Sequence, residues 1–71
     1  MKILVLNTGS STVKFSVIES DGERLLLDGL ADWSSHPARL TLRREGAEAA
    51  VITLPEIGHG AAVTQILRRL P

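Results

Sequence analysis

Four consecutive apolar residues, Ile3 to Leu6, run into the polar segment Asn7-Thr8-Gly9-Ser10-Ser11-Thr12, after which the chain switches to strict alternation. The first block predicts a strand buried on both faces and ending in a turn. From Val13 to Ile18 a period of two puts Val13, Phe15 and Val17 on one face and Lys14, Ser16 and Ile18 on the other. Asp21-Gly22 is the strongest hairpin signal in the chain, because a two-residue primed turn needs positive φ and these residues tolerate it. A third strand is expected from about Arg24 to Trp33, with Gly29 marking a bulge. Ser34-Ser35-His36-Pro37 interrupts the pattern. A fourth strand follows from Arg39 to Arg44 with Leu40 and Leu42 inward, Glu45-Gly46 turns it back, and a fifth runs from Glu48 to Leu54, closed by Pro55.

Beyond Pro55 the period changes to near 3.6, which predicts a helix over about residues 59–70. Ala62, Ile66 and Leu70, with Val63 and Leu67 beside them, form its apolar stripe; Thr64, Gln65, Arg68 and Arg69 face away. Arg68 and Arg69 suit the negative end of the helix dipole. The fold class is therefore α/β, an α+β-like piece with five strands followed by one helix. No repeat, low-complexity tract or linker divides it, so residues 1–71 are expected to form one unit. Antiparallel strands followed by a single crossover helix normally continue into a parallel strand laid beside the first ones. A chain of 71 residues ending after its helix is expected to be the beginning of a larger domain, with a sheet edge left open.

Composition narrows the function classes. Eight basic and eight acidic residues cancel, so no large positive field exists to gather nucleic acid or anionic lipid. With no cysteine, neither disulfides nor thiolate metal sites can support the small core, and a reducing, cytoplasmic setting is compatible. The apolar run after Met1-Lys2 is only four residues, shorter than the ~7 to 15 of a secretory signal, and no stretch approaches the ~18 to 20 of a membrane span. A soluble chain is the expectation.

The segment VLNTGSSTVKFSV carries the chemistry. A strand delivers Asn7 to a Gly/Ser/Thr turn and a second strand carries Lys14 away from it. Gly9 lets backbone N–H groups approach an anion, Ser10, Ser11 and Thr12 add hydroxyls, and Lys14 supplies a positive charge on the strand face of Thr12. Asn7 offers a neutral oxygen to Mg²⁺, directly or through water. Gly, Ser and Thr between apolar strands are also what an ordinary hairpin contains, so spacing alone leaves both readings open. A Walker A loop is excluded: Val13 and Phe15 stand where that motif needs Gly before and Ser or Thr after the Lys, and a strand rather than a helix follows.

LVLNTGSSTVKF resembles the amino-terminal signature of the acetate kinase family, in which Asn, Gly, Ser, two hydroxyl residues and Lys recur at these spacings. The similarity continues through the DG hairpin, the fourth and fifth strands and the helix, covering essentially all 71 residues. It implies the actin-like ATPase (ribonuclease H-like) fold and Mg²⁺-dependent transfer of the ATP γ-phosphoryl group to acetate or another short-chain carboxylate. Carried over by position, Asn7 is the metal-associated residue and Lys14 the ATP-phosphate residue, with Gly9, Ser10, Ser11 and Thr12 as the turn between them. Thr8 and Thr12 replace the family's commonest Ala and Ser while keeping the turn and its hydroxyl. Asn7 itself favours the carboxylate-kinase branch, since most actin-like ATPases have Asp there.

The family's catalytic acid, its arginines and histidines around the acetyl phosphate, and its adenosine pocket lie farther along the chain, so no catalytic residue is assigned here. His36 and His59 are expected to be exposed and without a role, Trp33 to pack against the sheet, and Arg43-Arg44 to be solvated surface. The leading expectation is a first subdomain of an acyl kinase, inactive alone and prone to form a homo-oligomer through its open sheet. The alternatives are a non-catalytic self-associating module derived from that fold, and another branch of the actin-like kinases.

Overall fold

The computed structural model describes residues 1–70; Pro71, the last residue of the expected 1–71 unit, lies outside them. Five strands, β1 (Lys2–Thr8), β2 (Thr12–Glu19), β3 (Arg24–Asp32), β4 (Arg39–Arg44) and β5 (Ala50–Thr53), are followed by one helix, α1 (His59–Leu67). The strands form a single antiparallel meander in sequence order. The α/β arrangement of five strands and one helix is thus the one the residue periods predict.

Cross-strand register sorts the side chains into two layers. Val13, Phe15 and Val17 of β2 oppose Ala31, Gly29 and Leu27 of β3, and Ala31 and Gly29 oppose Leu40 and Leu42 of β4. All the apolar side chains in that row are buried, and Ala62 and Ile66 of α1 complete the cluster, with Ala38 and Leu54 at its border. The other face carries Asn7, Lys14, Ser16, Asp28, Thr41 and Arg43 among Ile3, Val5, Leu30 and Val51, and no element of the described chain covers it.

Several local expectations are corrected. β1 is not buried on both faces: it is an edge strand, with Ile3 42%, Val5 39% and Leu6 39% exposed. Only Leu4, opposite Val17, packs against the core, because α1 rests on β2 and leaves the outer part of the sheet open. The bulge lies at Leu26 rather than Gly29: Val17 pairs with Leu27 and Ile18 with Leu25, leaving Leu26 as the extra residue of β3. Gly29 is instead a regular ladder position beneath the Phe15 ring, where a Cβ would lie 2.7 Å from ring Cε1 and would collide with the Thr41 carbonyl oxygen.

The β2–β3 turn spans four residues, Ser20 to Glu23, and its positive φ falls on Glu23 (51°) instead of Gly22. Longer hairpin loops built on a type I turn leave the left-handed position last, so the Asp21-Gly22 signal locates the turn without giving its type. Gly46 does take positive φ (75°) between β4 and β5. That turn extends to Ala49, so β5 starts two residues later than expected. The His36–Pro37 peptide bond in the β3–β4 connection is cis.

Gly58 precedes α1 with φ 112°, a conformation side-chain-bearing residues rarely adopt, and its carbonyl accepts the Ala62 N–H at 3.0 Å. The helix ends at Leu67, three residues short of expectation, and tightens into i→i+3 bonds from Arg69 to Ile66 and Leu70 to Leu67. Leu67 is 52% exposed and does not join the stripe. Arg69 Nη1 donates to the Gln65 carbonyl and Arg44 Nη2 to the Arg69 carbonyl, so arginines satisfy helix-end carbonyls from two elements. No helix among the described residues is long and apolar enough to cross a membrane.

Candidate functional site: the β1–β2 hairpin

Asn7 and Lys14 are direct Cα partners across the β1–β2 ladder. Directly opposed residues of an antiparallel pair point their side chains to the same face, ~4.5 to 5.5 Å apart at Cα. The two candidate residues therefore stand together on the uncovered face, at the end of the hairpin that carries the turn. Thr12 is on that face by the same period, and Ser16 lies two pairs farther from the turn, opposite Val5.

Between the two strands the Gly9 N–H donates to the Thr12 carbonyl at 2.9 Å. Gly9 thus closes the turn rather than offering its own N–H to an anion, and a Cβ there would lie 2.5 Å from Thr12 Oγ1. The N–H groups of Ser10 and Ser11 find no backbone acceptor among the described residues. These two amides, the hydroxyls of Ser10, Ser11 and Thr12, and the Lys14 ammonium are the donors the turn presents. Lys14 is exposed and has no carboxylate within ion-pair distance among the described residues, so its charge is unspent.

Two open grooves of about 340 and 250 Å³ flank Lys14 and share Asp28. The larger sits at the lower end of the ~300 to 1,000 Å³ typical of small-molecule sites and the smaller below it, a size suited to a phosphate group rather than a whole nucleotide. Asp28 would repel an anion, but Arg43, its register partner, holds its carboxylate at 3.3 Å. Arg43 is therefore part of the surroundings of the hairpin and not merely solvated surface. Only pairing register reveals this, because Asp28 and Arg43 are remote from the motif in sequence.

For Mg²⁺, Asn7 is an exposed amide at a strand end, and no group of three His, Cys, Asp or Glu side chains among the described residues could hold a metal. That donor set fits an ion held mostly by phosphate oxygens and water, with Asn7 as one neutral ligand or water partner.

A second layer behind the turn was not foreseen. His59, the first residue of α1, brings Nε2 to 2.6 Å from the Gly9 carbonyl oxygen. The Trp33 N–H donates to the Ser11 carbonyl at 3.0 Å, and the indole meets the His59 ring edge-on, centroids 4.9 Å apart and planes at 89°. His59 is exposed as expected, yet it touches the turn; Trp33 packs against the core as expected and contacts the turn as well. His36, in the β3–β4 connection, is exposed and brings nothing to the hairpin.

The acetokinase family model matches residues 2–71. Among curated relatives, the acetate kinase of Agathobacter rectalis is 34% identical over 70 residues, which is 99% of this chain and 18% of that protein. The acetate kinases of Thermotoga petrophila and Thermotoga maritima are 37% and 36% identical over 70 residues, again 99% of this chain and 17% of theirs. The chain thus spans under a fifth of the length of these relatives, and its sheet-plus-helix arrangement is consistent with the amino-terminal part of the acetate kinase fold. With the match running unbroken through the Asn7–Lys14 hairpin and on to the helix, the chain belongs to the acetokinase family.

Proposed function

We propose that this chain is the phosphate-gripping amino-terminal portion of an acetate or short-chain acyl kinase, an enzyme converting ATP and the carboxylate to ADP and the acyl phosphate in the cytoplasm. The observation that carries the reading is the Asn7–Lys14 pair on one face beside a turn with two unpaired N–H groups. Lys14 neutralises phosphate charge, Ser10, Ser11 and Thr12 donate to phosphate oxygens, and Asn7 offers its amide oxygen to the metal or its water. Mg²⁺ bound there supplies charge neutralisation on the phosphates. Phosphoryl transfer needs such stabilisation from several directions. Beside the turn the described residues place one unspent cation, Lys14, so these 71 residues alone are proposed to bind without turnover.

Titration with Mg-ATP, followed through the amides of Gly9 to Lys14, tests the reading. With few polar contacts the expected affinity is millimolar, about −4 kcal/mol. Absence of any hairpin shift at about 10 mM ligand, some ten times that expected Kd, removes the phosphate site.

A second copy of the chain is the proposed partner of the free β1 edge. Among the described residues β1 is hydrogen-bonded on one side only and exposes Ile3, Val5 and Leu6, the arrangement that recruits another strand. This interface is compatible with phosphate binding at the turn, and it is also what a non-catalytic relative of the fold would retain.

A further inference from the structure

We propose that His59 is a positioning residue for the phosphate turn, acting with the Trp33 backbone to hold the turn's peptide planes so that the Ser10 N–H faces the anion. The inference rests on the reading of the hairpin as a phosphate site and adds a residue that the motif does not contain.

A carbonyl oxygen can only accept, so at 2.6 Å from the Gly9 oxygen the His59 Nε2 must carry a proton. The same peptide plane that holds the Gly9 carbonyl holds the Ser10 N–H, on opposite sides of a trans unit. Drawing the carbonyl toward α1 therefore turns the Ser10 N–H away from α1. The Trp33 N–H fixes the next-but-one plane through the Ser11 carbonyl at 3.0 Å. The two anchors lie on separate elements, the end of β3 and the start of α1, and their rings brace each other at 4.9 Å.

The position of His59 is itself set from three directions. Gly58 at φ 112° lets the chain enter the helix at that angle. Ala62 and Ile66, both fully buried, seat the helix on the sheet, and Trp33 limits the ring's rotation. Docking of the helix and shape of the turn are thereby coupled through one hydrogen bond.

Three forms of the chain separate the possibilities: wild type, His59→Phe, which keeps a ring against Trp33 but has no donor, and His59→Gln, which restores an N–H at similar reach. Imidazole ¹⁵N shifts of the wild type should show the proton on Nε2. The Ser10 amide should shift in His59→Phe and return toward wild type in His59→Gln, while strand amides stay unchanged in both. Inorganic phosphate affinity should fall three- to tenfold in His59→Phe and recover to within twofold in His59→Gln. A proton on Nδ1 alone, or a Ser10 amide identical in all three forms, overturns the proposal. So does equal phosphate affinity of wild type and His59→Phe. If wild type binds no phosphate, the functional reading fails, and the ¹⁵N and Ser10 shifts still decide whether His59 sets the turn.

Discussion

The aromatic ring of Phe15, buried in the core, lies directly over Gly29, its cross-strand partner. A methyl group at Gly29 would sit 2.7 and 2.9 Å from Phe15 Cε1 and Cζ and against the Thr41 backbone, which cannot move without breaking the β3–β4 ladder. Gly29→Ala is expected to destabilise by about 1 to 3 kcal/mol, the usual cost of overpacking. Since a core of this size supplies no more than ~3 to 5 kcal/mol, a large unfolded fraction should appear without denaturant. Urea titration followed by Trp33 fluorescence checks it. A midpoint equal to wild type would mean that the ring and ladder yield freely.

Lys14→Ala separates binding from folding. The side chain is exposed, with no ion pair among the described residues, so stability should change by less than about 0.5 kcal/mol. Loss of a charge-assisted contact should weaken Mg-ATP binding about tenfold, or 1.4 kcal/mol. Asn7→Ala should weaken Mg-ATP more than metal-free ATP. Identical affinities for wild type and Lys14→Ala would take Lys14 out of the site.

Acid stability should report on Asp32. Its carboxylate accepts from the Ser34 hydroxyl at 2.6 Å and the Ser34 N–H at 2.8 Å, and these bonds hold its pKa below the usual aspartate range. A folded-state pKa below the unfolded one contributes stability that is present above the unfolded value, about pH 4, and is lost as pH falls through the folded one. Ser34→Ala should therefore lower the urea midpoint at pH 6 and differ less from wild type near pH 2. A deficit independent of pH would show that the carboxylate charge is not involved. The Met1 ammonium, raised by its bond to Glu19, acts with opposite sign: its contribution is present below its unfolded value and fades as pH rises through the folded one.

The free β1 edge should make association depend on concentration. Sedimentation over a roughly hundredfold dilution should show a dimer or larger species dissociating by mass action. Val5→Lys, a charge on the open face of the edge strand, should shift the population to monomer while leaving Lys14 in place. A single monomeric species at every concentration would remove the second copy as partner.

Much of this architecture was legible in local patterns. Alternation from Val13 to Val17 set the buried face, Glu45-Gly46 located a turn, and the six residues between Asn7 and Lys14 placed them across one hairpin. Such features follow from the two-residue period of a strand and the preferences of a short turn, which each segment carries within itself. Where the patterns misled, the deciding partner lay elsewhere. The apolar run Ile3 to Leu6 reads as buried on both faces, yet burial depends on which elements arrive to cover it, and α1 seats on β2. Gly29 reads as a bulge, but the Phe15 ring needs that space, and the extra residue falls at Leu26. His59 has no local signal. Fifty residues separate it from Gly9, and only the seating of Ala62 and Ile66 in the core brings its imidazole to the turn.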